Sequence, residues 1–137
     1  ESCTGGYIAH LISSIAGSSS YFKGSAVTYA NEIKENILGV SASDIEKEGA
    51  VSETVVKQMA TGVRDKFKTD YAIATSGIAG PDGGTDEKPV GTTWIALAGP
   101  NDVVAVKHHF GEHRGRNIRR AALTALFMLK KEVDCNN

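Results

Sequence analysis

The chain opens on Glu1-Ser2-Cys3-Thr4-Gly5-Gly6, where two hydroxyls and a thiol precede a glycine pair. Glycines at such a corner let a ligand or an oxyanion approach the backbone, and the N–H groups of a following helix favour negative charge. Ser2 therefore has the setting of a nucleophile whose oxyanion is held by the next amides. Taken alone, the hexapeptide favours Ser2 or Thr4 as a plain helix N-cap, and Cys3, with no base beside it, fits a small packed residue. A second stretch, Tyr29-Ala30-Asn31-Glu32-Ile33-Lys34, sets a phenol at the end of an expected strand and an amine in the first turn of an expected helix. A lysine at the positive end of a helix and partly desolvated is biased toward the neutral amine. That form is a general base for a serine, with the Tyr29 hydroxyl able to relay a proton. A solvated lysine beside an ordinary sheet-end tyrosine is the other reading, and the one the pair taken alone favours.

Two further stretches suit an anion. Ser76-Gly77-Ile78-Ala79-Gly80-Pro81-Asp82-Gly83-Gly84-Thr85 follows a short apolar run, and glycines there can form a nest of backbone N–H groups. No Gly-Lys-Ser/Thr follows, so it is not a Walker A loop, and a flexible connector is the competing reading. Arg114, Arg116, Arg119 and Arg120 surround the start of the last expected helix. One or two of them can clamp a phosphate or carboxylate, while Arg116 and Arg120 read as a solvated face. His108, His109 and His113 lack the carboxylate or cysteine pattern of a metal site, and no metal is expected.

The elements that must position these groups follow from periodicity. Ile8, Leu11, Ile12 and Ile15 predict a helix over Gly5 to Ile15, and Gly17 to Ser20 a loop. Phe22 to Tyr29 reads as a strand. Asn31 looks like the cap of a helix through Leu38, ended by Gly39, and Ser43-Asp44-Ile45-Glu46 has capping-box spacing. Ser52 caps a long helix to about Lys68, with Val55, Val56, Met59, Val63 and Phe67 on one face. Asp70 to Ser76 reads as a buried parallel strand feeding the Gly77–Gly91 loop. Strands over Thr92 to Ala98 and Val103 to Phe110 flank a turn at Gly99-Pro100-Asn101-Asp102. The last helix runs from about Gly115 to Val133, with Ile118, Ala121, Ala122, Ala125, Leu129 and Val133 buried. The alternation predicts one α/β domain over residues 1–137, with a mixed, mostly parallel sheet in which only the last two strands are antiparallel.

Composition excludes several classes. With 15 Lys and Arg against 16 Asp and Glu, the net charge is −1, so a nucleic-acid-coating protein is not expected. No apolar run reaches the roughly 20 residues that span a bilayer. Hydrophobic residues make up 41% of the 137-residue chain, too many for disorder. Cys3 and Cys135 form neither a disulfide framework nor a CxxC pair, which reads as a reduced, cytoplasmic chain. A start at Glu1 rather than Met is read as the loss of an upstream piece.

Taken in order, the Glu1–Gly6 opening, Tyr29-Ala30-Asn31 with Lys34, and Gly49-Ala50-Val51-Ser52 resemble the C-terminal domain of the CinA (competence/damage-inducible) family. Gly77-Ile78-Ala79-Gly80-Pro81, Lys88-Pro89-Val90-Gly91-Thr92 and Arg114 with Arg119 extend the resemblance to about Leu129. It implies a three-layer α/β/α sandwich, usually oligomeric, and a nicotinamide mononucleotide deamidase of NAD recycling. Such an enzyme hydrolyses the carboxamide of this pyridine nucleotide to nicotinic acid mononucleotide and ammonia. Carried onto this chain, Ser2 is the nucleophile, Lys34 the base, and Tyr29 a relay or orienter. Thr4, Gly5, Gly6, Asn31, Gly77, Ile78, Ala79 and Gly80 would contact substrate, with Arg114 or Arg119 on the phosphate. Neither a metal nor an organic cofactor is needed, because an acyl-enzyme and water suffice.

The family carries a helix and a sheet strand ahead of the Glu-Ser-Cys-Thr-Gly-Gly turn. This sequence begins at the turn, so that strand is expected to be missing. Two other readings stand beside the amidase. One is a non-catalytic nucleotide-binding or interaction domain linked to competence or DNA damage; the other is a cysteine amidase using Cys3.

Overall fold

Three strands carry the core: β1 (Ala72–Gly77), β2 (Thr92–Ala98) and β3 (Val103–His109), in the order β1-β2-β3. The structure, a computed structural model, describes residues 1–136. Both pairings are antiparallel, with Ala72 opposite Ala98 and Thr92 opposite His109. This corrects the expected mostly parallel sheet. A parallel neighbour requires a crossover of about a dozen residues or more, usually helical. The residues between Gly77 and Thr92 contain no helix, so the chain folds back as a wide hairpin.

Helices cover both faces. They are α1 (Tyr7–Ser13), α2 (Asn31–Leu38), α3 (Ala42–Glu48), α4 (Glu53–Phe67) and α5 (Arg114–Cys135), with a short 3-10 turn at Ser18–Ser20. Successive strand residues point to opposite sides. Ala74, Ala96 and Ala98 accordingly meet Val55, Val56, Met59 and Ala60 of α4, while Ile95 meets Ile8 of α1 and Ala122 and Ala125 of α5. Val55, Val56 and Met59 are fully buried. Each such side chain contributes about 1.5–3 kcal/mol. The alanines of α5 let its backbone approach the sheet closely, while its outer face carries charged residues together with the exposed Leu123 and Phe127.

Local signals held with shifts of register. Ser52 caps α4, its Oγ accepting from Val55 N at 3.3 Å. The cap of α3 is Ser41 rather than Ser43: Ser41 Oγ accepts from Asp44 N, and Ser43 turns its hydroxyl to Ser41. Asn31 is the first helical residue of α2, after an Ala30 cap. The first helix is shorter than expected, because Gly5 and Gly6 adopt φ of +58° and +100° and form a left-handed turn before it.

The expected strand Phe22–Tyr29 is extended but forms no ladder among the described residues. Its backbone pairing is with Glu1: Glu1 N donates to Ala26 O at 2.8 Å, and Thr28 N donates to Glu1 O at 2.9 Å. On the other side, Ser2 N donates to Thr75 O of β1 at 3.0 Å. Glu1 and Ser2 thus stitch the 26–28 segment to the edge of β1. Continuous with that seam lies an apolar groove of about 770 Å³, lined among others by Ile12, Phe22, Phe67, Ile73 and Leu129. Among the described residues, no helix is long and apolar enough to cross a membrane.

Candidate active site

At the carboxyl end of β1 a cleft of about 300 Å³ gathers residues from five separate stretches. Ser2 enters it on the left-handed turn of Gly5 and Gly6, a conformation that glycine alone adopts at no steric cost. The turn is closed by Gly5 N donating to Ser2 O at 3.0 Å. Lys34 enters from the first turn of α2. Its side chain is 1% exposed, and Nζ lies 3.1 Å from Ser2 Oγ, 2.8 Å from Thr28 O and 3.0 Å from Tyr29 O.

The chemistry of these three neighbours decides what the amine can do. Two are carbonyl oxygens, which only accept. A neutral amine has two N–H bonds and one lone pair. With both N–H groups donated to Thr28 O and Tyr29 O, the lone pair is left for the Ser2 hydroxyl to donate into. Burial pulls the Lys34 pKa below the ordinary lysine value, with Cys3 opposing it. The neutral form is therefore favoured relative to a solvated lysine, and it is the form that takes a proton from a serine.

Cys3 lines the same cleft but is unsuited to attack. Burial pushes its thiol up to about 11, so it is protonated near neutral pH, and the thiolate is the nucleophilic form.

The other wall is the glycine-rich loop. Gly77 is required there by contact: a Cβ on it would stand 2.5 Å from Thr93 Oγ1. Arg114, first residue of α5, donates through Nη1 to Gly80 O at 2.6 Å and through Nη2 to Tyr29 OH at 3.2 Å. Asn117, one turn on and buried, donates to Ala79 O and Gly111 O, each at 2.9 Å. Lys88 Nζ donates to Glu48 O, fastening the far arm of the loop to the end of α3. Ser76 Oγ donates to Ala50 O at 2.8 Å and holds the cleft floor.

The structure thus brings Ser2, Lys34, Tyr29, Asn31, Gly77, Ile78, Ala79, Gly80 and Arg114 around one cleft. Tyr29 differs in one respect from its expected part. Its hydroxyl faces Arg114 at the exposed mouth, and its carbonyl meets Lys34. Lys34 reaches Ser2 directly, so no relay is needed in this geometry. Thr4, Gly5 and Gly6 lie behind the cleft and shape the Ser2 turn. Arg119 is exposed and does not line the cleft. Five residues beyond Arg114, it is rotated by about 140° around the helix.

Sequence reasoning missed Glu1 and Asn117. Glu1 is 8% exposed, and its carboxylate accepts from Thr4 Oγ1, Ser25 Oγ and the amides of Gly6, Ile8 and Ala9. Burial pushes its pKa up, but the hydrogen bonds from Thr4, Ile8 and Ala9 outweigh that and hold it below the ordinary glutamate value. An acidic residue just ahead of a capless glycine turn was the available signal, since α1 has no side-chain cap on Gly6. Asn117 carried no comparable signal, because its partners are main-chain carbonyls.

The CinA C-terminal domain family model matches residues 1–133. The chain belongs to the CinA family. A CinA-like protein of Cytophaga hutchinsonii is 52% identical over 133 residues, covering 97% of this chain and 32% of that protein. A CinA-like protein of Desulfosudis oleivorans is 53% identical over 136 residues, covering 97% and 32%. The chain therefore spans about a third of these CinA relatives. Among solved CinA structures, the competence/damage inducible protein CihA from Agrobacterium tumefaciens superposes with a TM-score of 0.93. It is 39% identical, with 95% of this chain and 80% of that chain covered. A CinA superfamily protein from Escherichia coli gives a TM-score of 0.90 at 34% identity, covering 93% of this chain and 74% of its own. The CinA α/β fold is thus present here, with its antiparallel three-strand sheet and its helices.

Proposed function

We propose that this CinA domain is a serine amidohydrolase that converts nicotinamide mononucleotide and water to nicotinic acid mononucleotide and ammonia. The observation that carries this reading is the 3.1 Å contact of Lys34 Nζ with Ser2 Oγ, made while both N–H groups of a neutral amine are committed to Thr28 O and Tyr29 O. The full layered arrangement that supports it is the α/β/α sandwich implied by the family resemblance.

Lys34 takes the Ser2 proton as Oγ attacks the carboxamide carbon. The resulting oxyanion is within the province of the Cys3 amide, which follows the nucleophile in the turn and donates to no oxygen among the described residues. Lys34 then gives the proton to the amide nitrogen, which leaves as ammonia, and the acyl group remains as an ester on Ser2. A water molecule, losing a proton to Lys34, attacks the ester and releases the acid; the proton returns to Ser2. Each step uses one base in alternating protonation states, which suits an amine whose pKa burial has lowered. The Gly77–Gly80 loop, Asn31 and Arg114 hold the rest of the substrate, with Arg114 on the phosphate.

The test is ammonia release from purified chain and nicotinamide mononucleotide, with Ser2→Ala beside it. The wild type is expected to turn over and the variant to lose at least about a thousandfold in kcat while its circular dichroism is unchanged. Ligand binding without turnover by the wild type, or a fully active Ser2→Ala, overturns the proposal.

A further inference from the structure

We propose that Glu1 is a positioning residue for the Ser2–Lys34 pair, its carboxylate tying the turn that carries Ser2 to the segment whose carbonyls hold Lys34. The proposal rests on the serine–lysine reading above. Oε1 accepts from Thr4 Oγ1 at 2.7 Å, Ile8 N at 2.9 Å and Gly6 N at 3.2 Å. Oε2 accepts from Ala9 N at 3.0 Å and Ser25 Oγ at 3.1 Å. Five donors converge on one buried carboxylate, and protonation would turn one of its acceptor oxygens into a donor facing them.

These donors belong to two separate stretches. Thr4, Gly6, Ile8 and Ala9 lie on the nucleophile turn and the start of α1. Ser25 lies on the segment that continues to Thr28 and Tyr29, the carbonyl partners of Lys34. The Glu1 main chain bonds the same segment at Ala26 and Thr28. Thr4 Oγ1 extends the brace to Thr75 Oγ1 of β1 at 2.9 Å. Ser2 and Lys34 therefore keep their distance because a single side chain fastens both supports, and shifts of about 1 Å in such geometry cost about a hundredfold in rate.

The deciding variant is Glu1→Gln, which keeps the shape but turns an acceptor oxygen into an NH2 facing donors. Its kcat is expected to fall about ten- to hundredfold, with KM for nicotinamide mononucleotide within about twofold. The Lys34 titration midpoint, followed by 13C NMR of lysine Cε, is expected to move upward as water reaches the amine. A merely structural prop would lower Tm but leave the kcat of folded protein and the Lys34 midpoint unmoved, and that result overturns the proposal. Should Glu1→Gln fail to fold, Ser25→Ala removes one donor and leaves the carboxylate. It is expected to shift both readouts in the same direction by a smaller amount, and no shift in either overturns the proposal. The NMR measurement needs no substrate, so it decides the role of Glu1 even where wild-type protein releases no ammonia and the amidase reading falls.

Discussion

The two ends of the cleft are built on opposite physical terms. At the inner end Ser2 and Lys34 are 8% and 1% exposed, and the lysine has every hydrogen-bonding direction filled. At the mouth, Tyr29 is 59% exposed and its hydroxyl is held by one bond from the exposed Arg114. At the inner end desolvation lowers the pKa of a buried amine. The mouth instead carries a permanent charge that is open to water and can exchange partners. The proposed amidase would thus place its chemistry where water is scarce, and its recognition where a ligand can arrive.

That contrast can be broken most severely at Lys34. Lys34→Met keeps the bulk and removes the base, and ammonia release is expected to fall about 10²- to 10⁴-fold. Lys34→Arg should not rescue it, because a guanidinium does not deprotonate in a protein. Activity close to wild type in either variant would show that the inner end is not where the proton is handled.

The pH profile of the wild type sharpens the same point. Below its pKa, Lys34 is protonated and has no lone pair for the Ser2 proton; above it, the lone pair is free. Because burial lowers that pKa, kcat/KM is expected to rise with pH through a midpoint below the ordinary lysine value. A profile that falls or stays flat across neutral to alkaline pH contradicts the assignment.

Changes at the mouth should act on binding. Arg114→Ala is expected to raise KM for nicotinamide mononucleotide about tenfold to a hundredfold with kcat little altered. Nicotinamide riboside, which lacks the phosphate, should show a much smaller difference between wild type and variant. Arg119→Ala should stay within about twofold of wild type in both constants, since its side chain does not line the cleft. A larger effect at Arg119 than at Arg114 would reverse the assignment of the phosphate contact.

Elements whose signals are local were legible in the sequence. The apolar stripe of α4 and its Ser52 cap, the bounds of β2, and the turn before β3 all follow from short-range periodicity and turn chemistry. The direction of β1 relative to β2 was not legible, since an apolar run before a glycine loop reads alike whether the chain crosses over or folds back. The Phe22–Tyr29 stretch was read as a strand because its side chains favour extended backbone, but a ladder also needs a neighbour. The Tyr29–Lys34 spacing put the two residues together but not their contact atom: the phenol was the visible group, and the carbonyl is what Lys34 meets.

Residue types alone determined the inventory of this protein: a serine before a glycine turn, a lysine in a first helical turn, a glycine loop after a strand, and an arginine at a helix start. They also determined which stretches are apolar and so which faces must be buried. Only the tertiary structure decided that Lys34 is buried, that its Nζ meets two carbonyls beside Ser2 Oγ, and that Arg114 rather than Arg119 reaches the mouth. The reason is that desolvation and hydrogen-bond saturation depend on atoms far apart in the chain. Most of those atoms belong to the backbone, which every residue has and no sequence pattern marks.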